Sequence, residues 1–176
     1  MARPWTFLLI LAAGVVADLW TKDAAFEAVP LGTRHEVIAD QVYIAPTRNP
    51  GAMWSNFQDV PAWLWVVIRG SIALGLLIYY IRNCRVAVWV HLAFAFVLAG
   101  AVGNLHDNMF AEQGEVRDFI LVYVPMYGWW PTFNIADSMI CVGAILLLWH
   151  FLRLESPGSK RSKAGDGDAS PKVGPA

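Results

Sequence analysis

The stretch FNIADSMICVGAILLLWHFL, residues 133–152, is an almost unbroken apolar run with one charged side chain, Asp137. About 20 such residues are what an α-helix needs to cross a bilayer. A carboxylate inside such a run is costly to keep in lipid, which marks Asp137 as a candidate functional group. A second carboxylate, Asp118, lies shortly upstream in GEVRDFI (114–120). Two acids brought together offer a chemistry that neither has alone.

The rest of the chain fits a protein built in a membrane. Of its 176 residues, 57% are hydrophobic and 15% charged, with nine tryptophans and a mean hydropathy of +0.45. That composition excludes an ordinary soluble domain. The net charge of −1 and the lack of a basic face give no support to nucleic-acid binding. Cys84 lies in a short basic loop and Cys141 in an apolar run, so no disulfide is expected. His35, His91, His106 and His150 are scattered, so no metal site is expected.

Four apolar stretches have spanning length or nearly so: about 5–20, 62–81, 86–102 and 132–152. The first has a rival interpretation, because Arg3, the run Trp5–Val16 and the pattern Val15-x-Ala17 have the features of a cleavable signal peptide. Basic residues orient the whole. Arg3, Arg82, Arg85, Arg153, Lys160, Arg161, Lys163 and Lys172 fall on one side, against Lys22, Arg34, Arg48 and Arg117 on the other, with Arg69 inside the second span. Both termini are therefore expected in the cytoplasm, with 23–60 and 104–131 facing outward. The Ser/Gly/Pro/Lys-rich tail over 155–176 is expected to be disordered. Residues 1–154 then form one membrane domain without internal repeats.

The polar residues that need explaining converge on the outer side. Asp18 and Lys22, spaced i, i+4, share a helix face and can pair, or Lys22 can snorkel to the headgroups. Asn49-Pro50-Gly51-Ala52 has turn chemistry and can also return the loop to the membrane with Asn49 as a backbone ligand. In Gly100-Ala101-Val102-Gly103-Asn104 the small residues admit either a neighbouring helix or an extended substrate. Asn134 and Asp137, spaced i, i+3, are expected on one helical face. If Asp118 and Asp137 meet, repulsion prevents both from ionising. One keeps a proton and polarises a carbonyl, while the other takes a proton from water. Such chemistry needs no serine, cysteine, metal or other cofactor.

Taken in order, Asp18-x-x-x-Lys22, Asn49-x-Gly51-Ala52, Gly100-Ala101-x-Gly103-Asn104-x-x-Asp107, Val116-x-Asp118-Phe119-Ile120 and Phe133-Asn134-x-Ala136-Asp137 resemble the motifs of the lipoprotein signal peptidases, or signal peptidase II. The likeness runs from about Trp5 to Leu152. It implies an all-α integral membrane protein of four transmembrane helices, with a small extracytoplasmic β-cradle and short helix drawn from residues 28–58. It also implies an aspartyl endopeptidase of the bacterial inner membrane, working as a monomer in the lipid bilayer. Such an enzyme cuts a prolipoprotein substrate before its diacylglyceryl-cysteine. By the same likeness Asp118 and Asp137 are the catalytic pair. Asn49, Gly51, Gly100, Gly103, Asn104, Asp107, Asn134 and Ala136 bind substrate or shape the site, and Asp18 and Lys22 support it. Retention of the family's first span turns residues 1–17 from a cleaved leader into a helix.

The departures are specific. Asn108 stands where the family usually has an arginine that holds substrate backbone, Ala99 where glycine is usual, and Met53-Trp54 where small and phenylalanine residues are usual. The spacing from Asp107 to Asp118 implies a small insertion near Glu112–Gly114. Arg117 or Arg69 is the candidate to supply the missing cation, although pairing or snorkelling explains Arg69 as well. Two other function classes stay open from sequence: a proton-coupled transporter, and a non-catalytic protein that binds lipoprotein signal peptides.

Overall fold

The computed structural model describes residues 4–50, 61–83 and 87–154. Gly51, Met53-Trp54, residues 51–58 of the loop expected to supply the cradle and short helix, Cys84 and the 155–176 tail lie outside the described residues. Four helices appear: α1 (Pro4–Ala28), α2 (Ala62–Arg82), α3 (Val88–Phe110) and α4 (Ile135–Leu154). Each is long and apolar enough to cross a membrane. Leu8, Leu9, Val16, Ile72, Leu74, Ile145 and Leu148 are more than half exposed, as side chains facing lipid should be. The exception is α3, whose flanks are covered by α1, α2 and α4, making it the central helix.

Two helices run past their apolar cores. The helix α1 continues through Asp18 and Lys22 to Ala28, and α3 continues through Asn104, Asp107 and Asn108 to Phe110. Sequence hydropathy stops each span earlier because polar residues interrupt it. Those residues are helical here, since their partners lie on neighbouring elements rather than in water. The fourth span is corrected the other way. Thr132 and Phe133 belong to a strand, and the helix begins only at Ile135.

The outer side carries a four-stranded antiparallel sheet in the order β1 (His35–Ile38), β2 (Val42–Asn49), β3 (Val116–Val124), β4 (Gly128–Phe133). The first two strands come from the loop expected to supply a cradle. The other two come from the loop between α3 and α4, where no strand was expected. Pro46 sits at the register break of β2 between Ile44 and Thr47, a place where a missing N–H does no harm. Residues Glu112–Gly114, near which an insertion was expected, form a 3-10 turn with Gln113 and Gly114 both at positive φ.

Close approach of α3 to α4 sets the position of the site. A Cβ on Gly100 would lie 2.3 Å from the Ala136 carbonyl oxygen, and one on Gly143 would lie 2.7 Å from that of Ala93. Small residues at these crossings let the two backbones touch, a common way for helices to associate in lipid. Gly100 is therefore a packing residue that holds the first turn of α4 in place. Replacing it with alanine should cost about 1–3 kcal/mol through overpacking. Gly75, with nothing within 4 Å of its Cβ position, should tolerate alanine. Thermal unfolding of both variants in detergent checks the contrast.

Candidate active site

The site is assembled around a buried ammonium. Lys22 has no exposed side-chain surface, so the snorkelling alternative does not hold. Its Nζ lies 2.7 Å from Asp18 Oδ2 and 2.9 Å from Asp107 Oδ2, and it donates to Asn104 Oδ1 at 3.1 Å. Three oxygens thus surround a group that has three N–H donors and no acceptor. Each anion is held a second time. Asp18 Oδ1 accepts from the Ala136 backbone N–H at 2.8 Å. Asp107 accepts from the backbone N–H of Arg117 at 3.0 Å and from its guanidinium at 2.9 and 3.1 Å. Gly103 makes room for this cluster, because a Cβ there would lie 2.4 Å from Asp18 Oδ2.

The start of α4 presents Asp137. Asn134 is not on the helical face but is the residue before the helix. Its Oδ1 accepts from the Asp137 N–H at 2.9 Å, while Asp137 Oδ2 accepts from the Asn134 N–H at 3.2 Å. This is a reciprocal capping box, which satisfies two orphan donors and fixes the carboxylate's direction. Asp137 is therefore both a favourable first-turn anion and a candidate functional group.

The sheet brings Asp118. In β3, Val116 and Asp118 face one side and Arg117 the other, as strand alternation requires. Arg117 consequently reaches Asp107 and Asp23, away from Asp137. Thr47 pairs with Asp118 and Asn49 with Val116, so Asn49 lies diagonally across from the carboxylate and donates to its Oδ2 at 3.0 Å. Asn134 Nδ2 donates to Asp118 Oδ1 at 2.7 Å, and Asn104 Nδ2 donates to Asp137 Oδ1 at 2.8 Å. Asn134 Nδ2 also approaches Asn104 Oδ1 at 3.1 Å. Asn49, Asn104 and Asn134, from three different elements, thus hold the two aspartates in one hydrogen-bonded group. Because Lys22 can only donate, it fixes the oxygen of Asn104 toward itself and the amide nitrogen toward Asp137.

Asp118 is 1% exposed. Burial pushes its carboxyl up to about 7, and the Asp137 charge acts in the same direction, against the hydrogen bonds from Asn49 and Asn134. Asp137 instead lines an open cleft of about 410 Å³ together with Asn49, Arg69, Thr132, Ser138 and Cys141. The geometry therefore combines a buried carboxyl whose proton affinity is raised with a second carboxyl, that of Asp137, lining an open cleft.

Most residues singled out in the sequence converge here, but in different capacities. Asp18, Lys22, Gly103, Asp107 and Ala136 are buried beneath the pair, and Gly100 packs against the first turns of α4. The sequence did not single out Thr132, Ser138 or Cys141 as cleft residues, nor Asp23 as the second partner of Arg117. Cys141 follows Asp137 at i+4, and that spacing was the available signal.

The model of the signal peptidase II family matches residues 10–153. The chain is 34% identical to the lipoprotein signal peptidase of Geobacillus thermodenitrificans over 88% of its length and 94% of that protein's. It is 37% identical to that of Rhodococcus jostii over 88% of its length and 77% of that protein's. A bacterial membrane enzyme solved by the in meso method at 2.3 Å superposes with a TM-score of 0.78 at 28% identity, covering 95% of this chain and 96% of that one. A second, solved at 1.9 Å, gives 0.76 at 30% identity over 88% and 95%. The match spans all four helices and both loops that build the sheet, and the chain belongs to the signal peptidase II family of aspartic peptidases.

Proposed function

We propose that this protein removes signal peptides from diacylglyceryl-modified prolipoproteins, cutting before the lipidated cysteine, with Asp118 and Asp137 as the catalytic dyad. The observation that carries the proposal is the single asparagine-bridged group that holds the two carboxyls together, Asp137 lining the cleft and Asp118 buried behind it. Asp118 holds the shared proton and donates to the scissile carbonyl oxygen. Asp137, facing the cleft, takes a proton from the attacking water. Collapse of the resulting diol breaks the C–N bond. Asp137 then returns its proton to the cysteine nitrogen, and Asp118 recovers one from the diol hydroxyl. Charge stays low throughout, which suits a site at the edge of a bilayer.

The excess of Lys and Arg on the side of the α2–α3 connection supports a topology with both termini cytoplasmic and the sheet and dyad outside. In a bacterium this corresponds to the outer face of the cytoplasmic (inner) membrane. Family membership sets the transporter alternative aside, and turnover separates a peptidase from a protein that only binds signal peptides.

Purified prolipoprotein carrying the diacylglyceryl group, offered to wild type and to Asp137→Asn, tests the proposal. Cleavage should fall by about a hundredfold or more in the variant. Equal processing by both, or by neither, sinks the proposal. The pH dependence follows from Asp118. Its raised carboxyl must stay protonated, so kcat/KM should be sustained below about pH 7 and fall about tenfold per unit above it. A profile that keeps rising through this range contradicts the assignment of the acid.

A further inference from the structure

Arg69 is the charge the site has not yet used. It lies inside α2, a membrane-spanning helix, where an ionisable group needs a partner or a purpose. Its guanidinium has five N–H donors. Among the described residues Nη1 donates to Asn108 Oδ1, and no carboxylate lies within ion-pair distance. The ring of Trp65, 5.5 Å from the guanidinium carbon, supports it from its own helix.

Asn108 is itself fixed, because its Nδ2 donates to the Gly114 carbonyl at 2.6 Å in the 3-10 turn after α3. Turn, asparagine and arginine form a relay that holds the guanidinium on the wall of the cleft. Asp137 lines the same cleft from α4, and Asn49 lines it from β2. Arg117 is unavailable for this task, being clamped to Asp107 and Asp23 on the other face of β3.

We propose that Arg69 is the substrate-gripping cation of this chain, donating hydrogen bonds to main-chain carbonyl oxygens of a signal peptide lying extended along the cleft beside Asp137. A peptide in a low-dielectric cleft brings carbonyls that have lost water, and a guanidinium whose remaining donors meet no other acceptor among the described residues answers them in pairs. Ester carbonyls of the diacylglyceryl group share this chemistry, but they belong to flexible chains bathed in lipid. The peptide is the better-placed acceptor. Arg69 is thus a binding residue rather than a member of the dyad.

This inference rests on the peptidase proposal above, so Asp137→Asn is assayed alongside. In Arg69→Gln the KM for lipidated prolipoprotein should rise tenfold or more with kcat within about threefold, the signature of lost uniform binding. Arg69→Lys, which keeps the charge but not the fork, should fall between. The double variant Arg69→Gln with Asn108→Arg, which offers a guanidinium from the partner position, should recover much of the loss. A merely structural role would not give that rescue. Inhibition by a non-lipidated signal peptide should weaken tenfold in Arg69→Gln, while inhibition by free diacylglyceryl-cysteine should not. Wild-type KM in both single variants, or weakening confined to the lipid fragment, overturns the inference. Cleavage by Asp137→Asn would instead overturn the peptidase proposal itself.

Discussion

The structure depends on keeping one ammonium, that of Lys22, charged and out of water. Nothing in lipid or in a helix core can satisfy it except anions and carbonyl oxygens, so Asp18, Asp107 and Asn104 must close on it from α1 and α3. Removing one partner of such a buried pair commonly costs about 3–5 kcal/mol, because it leaves a charge uncompensated. Each residue whose oxygen accepts from the ammonium is itself tied to another element. Asp18 holds the first turn of α4 through Ala136, Asp107 holds β3 through Arg117, and Asn104 holds Asp137. The ion cluster therefore fixes where one helix, α4, and one strand, β3, begin, and those ends carry the two aspartates.

Placing the acids on element ends serves chemistry as well as packing. Asp137 is locked by the capping box of α4, and Asp118 is locked by strand register and two asparagine amides. Neither relies on a loop for its direction, which is the precision a water-activating pair needs. The asparagines donate to both carboxyls without adding charge, so the pair can share a proton. A lysine or arginine in their place would hold both acids ionised. Asn104 links Lys22 to Asp137, accepting from the ammonium and donating to the carboxyl.

Much of this was legible in the sequence, for physical reasons that also explain the gaps. The four spans follow from length and hydropathy, and the two aspartates stand out because carboxylates near lipid are expensive. The i, i+4 spacing of Asp18 and Lys22 was enough to pair them, but not to show Asp107 as the third member. That partner arrives from a helix far along the chain. Strand β4 was hidden because its last residues, Thr132 and Phe133, were drawn into the fourth span, while the residues before them were read as an outward-facing loop. The capping role of Asn134 was missed for the same reason, since a helix drawn from Thr132 leaves no cap to assign. Gly100 and Gly103 were ambiguous until the atoms opposite them, Ala136 O and Asp18 Oδ2, could be seen. The choice between Arg69 and Arg117 needed the sheet, because only β3 shows which way Arg117 faces.

The central claim is that the two aspartates share one proton at neutral pH, with Asp118 holding it. Infrared difference spectra of the purified protein in detergent, taken between about pH 5 and about pH 9, report protonated carboxyls directly. The account predicts a protonated-carboxyl stretch at the acid end that disappears with a midpoint near 7 and is missing from Asp118→Asn. A band that persists in Asp118→Asn, or a wild-type spectrum without any such band at the acid end, would contradict it.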